Sequence, residues 1–228
     1  RTSDGGATYN QVAKLTAADA AAEDFFGSTV ATDGQKVVVG ARADDDAGSA
    51  SGSAYVFRTT DGGATYDEVA KLTAADAAAG DYFGGSVAID GDTVVIGATI
   101  GARDNNGDRG AVYVFRTTDS GATYGQVAKL TASDAATGDS FGHSVSIDGG
   151  TVVVGALGDD GDGSYSGSAY VFDANAPTSQ PTTGHPTPRP SPRPTPRPSP
   201  QPTAQPTTAQ PTSQPTTAQP TTAQPTAQ

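Results

Sequence analysis

Three residue types are missing from the 228-residue chain: cysteine, methionine and tryptophan. The lack of cysteine excludes disulfides, thiolate metal sites and cysteine nucleophiles. The chain contains no run of about 18 apolar residues, so we expect no membrane span in it. Because it starts at Arg1 rather than at methionine, we expect a fragment or a processed product, in which a cleaved signal peptide would leave no trace.

Proline is absent from residues 1–176, and all 16 prolines lie in residues 177–228. This second part repeats Pro, Thr, Ser and Gln and cannot pack a core. We therefore expect residues 173–228 to be a disordered stalk or linker, extended and largely polyproline II. Its composition resembles the O-glycosylated or wall-associated stalks of extracellular proteins.

Positive charge is scarce in the first part of the chain. Residues 1–172 contain 10 Lys and Arg and 24 Asp and Glu, so their formal net charge is 10 − 24 = −14. An acidic domain repels phosphate backbones and anionic lipid surfaces, which argues against binding to nucleic acid or to such membranes. The charge is compatible with cation binding or with simple solubility, and solubility is the favoured explanation.

Residues 1–172 consist of three repeats, at 1–57, 58–115 and 116–172. Each repeat contains Val-Ala-Lys-Leu, then Phe-Gly, a β-branched triplet before Gly-Ala, and a final Tyr-Val-Phe. Alternating or continuous apolar residues predict four short strands in each repeat. In the first repeat the predicted strands are Gln11–Leu15, Phe26–Thr32, Val37–Val39 and Ser53–Arg58. An Asp-Gly turn between the second and third predicts a tight hairpin.

Two dipeptide pairs carry a family resemblance. Phe26-Gly27 with Gly40-Ala41, and the equivalent pairs in the later repeats, resemble the FG-GAP repeat, which builds the β-propeller of integrin α-chains and many extracellular proteins. The resemblance implies an all-β fold of four-stranded antiparallel propeller blades. Propellers usually have four to eight blades, so three repeats predict an incomplete or open propeller. Its unpaired strand edges would invite self-association.

A second resemblance concerns the start of each repeat. Residues 60–66, Thr-Asp-Gly-Gly-Ala-Thr-Tyr, are similar to the Asp-box of sialidase-like propellers. That similarity implies a structural hairpin between the last two strands of a blade.

Calcium binding is the sharpest hypothesis for a site. Integrin-type repeats bind calcium between the Phe-Gly and Gly-Ala strands, but here that connection is only Asp90-Gly91-Asp92 or its equivalent. It is too short to supply six to eight oxygens, so the integrin role is not carried over. The loop after Gly-Ala has the alternating acids of half a calcium loop. Its candidate ligands are Asp104, Asn106, Asp108, Asp160 and Asp162. No closing glutamate follows, so solvated loops are favoured over calcium, and no other cofactor is expected.

Catalytic residues are not indicated. Paired carboxylates can hydrolyse glycosides, and the chain has three such pairs, Asp19/Asp24, Asp76/Asp81 and Asp134/Asp139. Because the same pair recurs in every repeat, turns and caps are the favoured explanation. His143 is the only histidine of the repeats and has no partner constellation, so we expect a packing or surface position.

The sequence thus predicts a non-catalytic binding or adhesion module, extracellular or at the cell surface, on a proline-rich stalk. Its ligand would be a protein or a polysaccharide. One alternative is a structural protein of a cell wall or matrix. Another is a fragment of a sialidase-like glycoside hydrolase.

Overall fold

The regular structure of the chain is entirely β. The computed structural model describes residues 5–6, 8–99, 109–161 and 163–175. Eleven strands lie there: β1 (Phe26–Thr32), β2 (Lys36–Ala41), β3 (Ser53–Arg58), β4 (Asp67–Leu72), β5 (Phe83–Asp90), β6 (Thr93–Ala98), β7 (Ala111–Arg116), β8 (Gly125–Leu130), β9 (Phe141–Asp148), β10 (Thr151–Ala156) and β11 (Ser168–Asp173). Among these described residues, no helix has the length and apolarity that a membrane span requires.

The strands form three antiparallel sheets, which we term blades I, II and III. Blade I has the order β1-β2-β3-β4, blade II the order β5-β6-β7-β8, and blade III the order β9-β10-β11. The outer strands β4 and β8 each come from the following repeat, so a blade crosses the repeat boundary. The predicted all-β fold is confirmed, with four strands in blades I and II and three in blade III.

The predicted strand at residues 11–15 is wrong. This segment has no strand pairing, although the same sequence, Gln-Val-Ala-Lys-Leu, ends β8 at residues 126–130. In β8 the segment pairs with β7 of the preceding repeat. A strand is stable only when its backbone groups have a partner, and among the described residues no strand lies beside residues 11–15.

The Phe-Gly dipeptide places an aromatic ring in the core. The β1–β2 register shifts between Phe26 and Thr29, and Gly27 has φ 90°, a left-handed conformation that favours glycine. The resulting bulge directs the Phe26 ring towards the third strand of its blade. Its centroid lies 5.5 Å from the Tyr55 ring centroid and 6.0 Å from that of Phe57. The same three rings meet in blades II and III.

Successive blades pack face to face. Val38 and Val56 of blade I lie in one buried cluster with Phe83 and Ile96 of blade II. A second cluster joins the opposite face of blade II to the aromatic face of blade III. The core therefore consists of two layers of apolar side chains, one between blades I and II and one between blades II and III.

The glycine of Gly-Ala allows the blades to approach closely. A Cβ added to Gly40 would lie closer than 3.0 Å to the carbonyl oxygen of Gly84 in the next blade, and one on Gly97 would clash similarly with Gly142. At the same joints Thr29 Oγ1 donates to the Gly84 carbonyl and Ser86 Oγ to the Gly142 carbonyl, both at 2.7 Å. The two dipeptides that define the repeat thus form one joint between consecutive blades.

The predicted Asp-box hairpin joins β3 to β4. Asp61 Oδ1 accepts the backbone N–H groups of Ala64 and Thr65, and its Oδ2 accepts the Thr65 hydroxyl. These hydrogen bonds, led by the backbone donor of Thr65, hold the pKa of Asp61 well below its usual range. An equivalent hairpin is built around Asp119.

Candidate functional site

The two ends of each blade are built differently. At the hairpin end lie the short Asp-Gly turns and the Asp-box hairpins, which contact each other through Thr59 N–H and Gln35 O at 2.9 Å. At the opposite end, which we term the loop end, lie the β2–β3 loop (42–52) and its equivalents. The connectors that enter each Phe-Gly strand, such as residues 73–82, lie at the loop end too because the sheets are antiparallel. The candidate acids that the structure describes, Asp160 and the recurring aspartate pairs, therefore lie at the loop end.

In blade I, three carboxylates and a tyrosine surround one ammonium group. Lys71 Nζ lies 2.6 Å from Asp19, 3.0 Å from Asp44 and 2.5 Å from Asp46. The Tyr55 hydroxyl donates to Asp19 at 2.8 Å and lies 2.9 Å from Asp44. The three carboxylates lie close enough to share a metal ion, but the lysine ammonium already supplies the compensating cation. We call this arrangement the lysine cluster.

The ionisation of the cluster follows from these contacts. The hydrogen bond from Lys71 lowers the pKa of Asp19. Burial opposes ionisation of Asp44, but hydrogen bonds from Lys71, the Asp46 backbone and Tyr55 outweigh it and lower the Asp44 pKa. Burial also disfavours the Lys71 cation, yet its acidic partners raise the pKa of Lys71 above its usual range. The cluster is therefore a fixed ion network at neutral pH.

Blade II contains a reduced version of the cluster. Lys129 Nζ lies 2.6 Å from Asp76, and the Tyr113 hydroxyl donates to the same carboxyl group at 2.9 Å. Burial raises the pKa of Tyr113 to about 12. Lys129 also lies over the Tyr113 ring, 5.1 Å from its centroid.

Blade III has the acids and the tyrosine. The Tyr170 hydroxyl lies 3.0 Å from Asp134 and 2.8 Å from Asp159, and its contact with Asp159 raises the Tyr170 pKa. In the part of the chain that the structure describes, no lysine joins them. The lysine of the other two clusters comes from a fourth strand, and blade III has three strands.

Most of the predicted calcium ligands lie outside the described residues. These are Asp104, Asn106, Asp108 and Asp162. The fifth, Asp160, is exposed, and its Oδ1 accepts the backbone N–H of Tyr165 at 2.6 Å. Asp160 therefore closes a turn in its own loop, and the calcium site stays a prediction.

The recurring aspartate pairs divide into two structural roles. The second member of each pair closes a turn: Asp24 accepts from Ala21 N–H at 2.7 Å, and Asp81 from Ala78 N–H at 2.8 Å. The first members, Asp19, Asp76 and Asp134, accept hydrogen bonds from the tyrosine hydroxyl groups described above. His143 is exposed on β9, a surface position of the kind expected.

Sequence reasoning missed the lysine cluster. Its signal was present, because Lys of Val-Ala-Lys-Leu and Tyr of Tyr-Val-Phe recur at fixed positions in all three repeats. The pairing became visible only with the register, in which Tyr55 lies opposite Lys71 and Tyr113 opposite Lys129. Each pair joins two different repeats.

Comparison with models of protein families identifies the repeats. A family model described as FG-GAP repeat matches residues 9–57, 66–115 and 124–172. A search of curated proteins finds no match.

Proposed function

Because the chain belongs to the FG-GAP repeat family, we propose that it is a non-catalytic module that binds a protein or polysaccharide through the loop end of its blades. FG-GAP repeats form propeller-type binding modules. The observation that carries the proposal is a repeated scaffold that presents loops at one end, in which a few positions change from one repeat to another.

The scaffold is nearly constant from repeat to repeat. Residues 53–57 and 168–172 have the same sequence, Ser-Ala-Tyr-Val-Phe. The loops that precede these two strands, residues 44–52 and 159–167, agree at six of nine positions and differ at three, where Asp46, Ala47 and Ala50 are replaced by Gly161, Asp162 and Tyr165. Variable loops on a rigid scaffold are the usual place for recognition.

The charged residues that a hydrolase would need have structural partners. In each recurring aspartate pair, one member accepts a hydrogen bond from a tyrosine hydroxyl and the other closes a turn. Arg58 donates to the Ser120 carbonyl at 2.7 Å and Arg116 to the Ala174 carbonyl at 2.9 Å. These two arginines therefore connect successive blades at the hairpin end, which supports a binding role over catalysis.

The proposed location is outside the cell or at its surface. FG-GAP repeats are typical of extracellular and surface proteins, and the proline-rich composition of residues 177–228 suits a spacer that holds a binding domain away from a surface. Labelling of intact cells with a membrane-impermeant amine reagent tests this location. Protection of the chain until the cells are lysed would contradict it.

A matched pair of variants tests the binding end. The chain is screened against arrays of proteins and polysaccharides, and any ligand found is titrated against Asp45→Ala and Asp148→Ala. Both side chains are exposed and carry the same charge, but Asp45 lies in a β2–β3 loop and Asp148 at the hairpin end. We expect Asp45→Ala, or Tyr165→Ala in the equivalent loop of blade III, to weaken binding. Weakening by Asp148→Ala alone would contradict the loop-end assignment, and turnover of an array glycan would contradict a non-catalytic role.

A further inference from the structure

Blades I and III each hold a buried carboxyl group against the tyrosine of their third strand. Asp44 of blade I is 3% exposed, and Asp159 of blade III is 7% exposed. Asp44 lies 2.9 Å from the Tyr55 hydroxyl, and Asp159 lies 2.8 Å from the Tyr170 hydroxyl. The place beside this hydroxyl is therefore one that the blade can shape around a carboxylate.

The second repeat has no acid at the corresponding place in its sequence. Asp44 and Asp159 are each the third residue after Gly-Ala, and Gly101 is the third residue after Gly-Ala in the second repeat. Among the described residues, the Tyr113 hydroxyl contacts one carboxyl group, that of Asp76. The ion pair of Lys129 in this part of the chain is with the same group. Blade II therefore keeps the tyrosine and the lysine of the cluster without the acid after Gly-Ala.

A cavity of about 230 Å³ lies beside these side chains at the loop end of blade II. Lys129, Tyr113 and Arg109 contribute to its wall, and Asp76 and Asp81 are the acids that line it. We call this cavity the blade II pocket. It lies next to the tyrosine and lysine whose equivalents in blade I contact Asp44.

The charges around the blade II pocket favour an added anion. Lys71 of blade I is one cation among three carboxylates, and its side chain is 20% exposed. The blade II pocket has two cations, Lys129 and Arg109, with two carboxylates, and the Lys129 side chain is 41% exposed. One more carboxylate would give three carboxylates and two cations, a better charge balance than blade I already has.

We propose that the blade II pocket binds the carboxyl group of an aspartate or glutamate side chain on a protein partner. The ligand carboxylate lies between the Lys129 ammonium and the Tyr113 hydroxyl, as Asp44 lies between the equivalent groups of blade I. The net charge of residues 1–172, 10 − 24 = −14, repels an acidic polysaccharide, whereas a protein can present one carboxylate on a neutral or basic surface. This inference rests on the proposed function and names the group that the loop end recognises.

Nuclear magnetic resonance titration of the ¹⁵N-labelled full chain tests the blade II pocket. The probe is the tripeptide Gly-Glu-Gly, acetylated and amidated at its ends, and Gly-Gln-Gly is its uncharged control. We expect saturable shifts of the Tyr113 and Lys129 backbone amides, and about twofold to fivefold weaker binding of the control, the scale of a partly exposed ion pair. The Tyr55 amide should not shift, because Asp44 already lies beside that hydroxyl. Equal affinities of the two peptides, or equal shifts in blades I and II, would overturn the proposal.

Variants of the full chain test which groups hold the carboxylate. Lys129→Gln should reduce the affinity for the glutamate peptide to that for the glutamine peptide, whereas Lys129→Arg keeps the charge and should bind. Gly101→Asp supplies an acid at the sequence position of Asp44 and should weaken binding while Lys129 is unchanged. Amide signals of blades I and III that stay in place show that each variant is folded. An unchanged affinity in both Lys129→Gln and Gly101→Asp would refute the assignment.

An oligosaccharide of uronic acid is the competing ligand, since it presents the same carboxyl group. If it binds more tightly than the glutamate peptide and depends on Lys129, the assignment to a protein partner is wrong. The proposed function fails separately from this inference. A ligand from the arrays that is weakened by Asp45→Ala and unaffected by Lys129→Gln would remove the blade II pocket and leave binding at the loop end in place.

Discussion

The close approach of blades II and III leads to a sharp prediction for Gly97. Neither Gly97 nor its equivalent Gly155 has a left-handed φ, so alanine is conformationally acceptable at both. The difference lies in the neighbours. A Cβ on Gly97 would meet the backbone carbonyl of Gly142 closer than 3.0 Å, whereas one on Gly155 would meet only the rotatable hydroxyl of Ser144 at such a distance.

The expected magnitude follows from overpacking. Gly97→Ala forces blades II and III apart or displaces the Ser86 hydroxyl from the Gly142 carbonyl, and such changes cost about 1–3 kcal/mol in free energy of unfolding. In a folded region of this size, about 2–4 °C of melting temperature corresponds to each kcal/mol, so we expect a fall of roughly 2–12 °C. Gly155→Ala should change the melting temperature little, because the Ser144 side chain can rotate away.

Thermal unfolding followed by far-ultraviolet circular dichroism measures both variants. The measurement is made at low protein concentration, which keeps any association between copies out of the comparison. Equal destabilisation by the two alanines would refute the close-approach explanation. A stable Gly97→Ala variant would show that the blades are not held by their glycine contact.

Four further predictions concern the charged groups and calcium. Lys71→Met should lower the free energy of unfolding at pH 7 by about 1–3 kcal/mol, because it leaves the buried Asp44 carboxylate without its ammonium partner. Lys129→Met should cost less, since that ion pair is about half exposed, and equal losses in urea unfolding would argue against a buried network. The lowered pKa values of Asp19 and Asp44 stabilise the fold above the unfolded pKa of about 4, and this stability is lost as pH falls through their pKa values in the folded protein. Lys71→Met should therefore make the free energy of unfolding less dependent on pH in acid. The raised pKa of Tyr113, about 12, stabilises the fold below the unfolded pKa of about 10, and this contribution is lost as pH rises towards 12. Tyr113→Phe should therefore reduce the alkaline loss of stability. If urea unfolding at several pH values shows the same dependence of stability on pH for the variant, the prediction is contradicted. We expect millimolar CaCl₂ to leave the melting midpoint unchanged, because the acidic loops offer too few ligands, whereas a rise that disappears in Asp104→Asn, Asp108→Asn would establish calcium binding there.

The sequence was most informative where a motif depends only on local conformation. Phe-Gly, Gly-Ala and the Asp-Gly turns recur in register, and each was a reliable sign of a strand or a hairpin because glycine conformation and apolar alternation are local properties. The Asp-box hairpin was identified for the same reason, since Asp61 hydrogen-bonds only to nearby residues.

The candidate site was less accessible to sequence reasoning. The sequence suggested aspartates as calcium ligands or catalytic pairs. In the structure, Asp19 and Asp44 form ion pairs with Lys71 of the next repeat. Lys71 lies 52 positions from Asp19 and 27 positions from Asp44 in the sequence, so strand register determines these contacts. No local pattern predicts it.

By itself, the sequence determined the repeat, the strands and the turns, because these depend on local conformation and on the alternation of apolar residues. Only the tertiary structure decided which copy of a segment becomes a strand. Residues 11–15 and 126–130 are identical, yet only the second set pairs in a sheet, and Ser-Ala-Tyr-Val-Phe is buried in β3 but largely exposed in β11. The physical reason is that a strand's hydrogen bonds and burial come from its neighbours, and each end of this three-bladed stack lacks one.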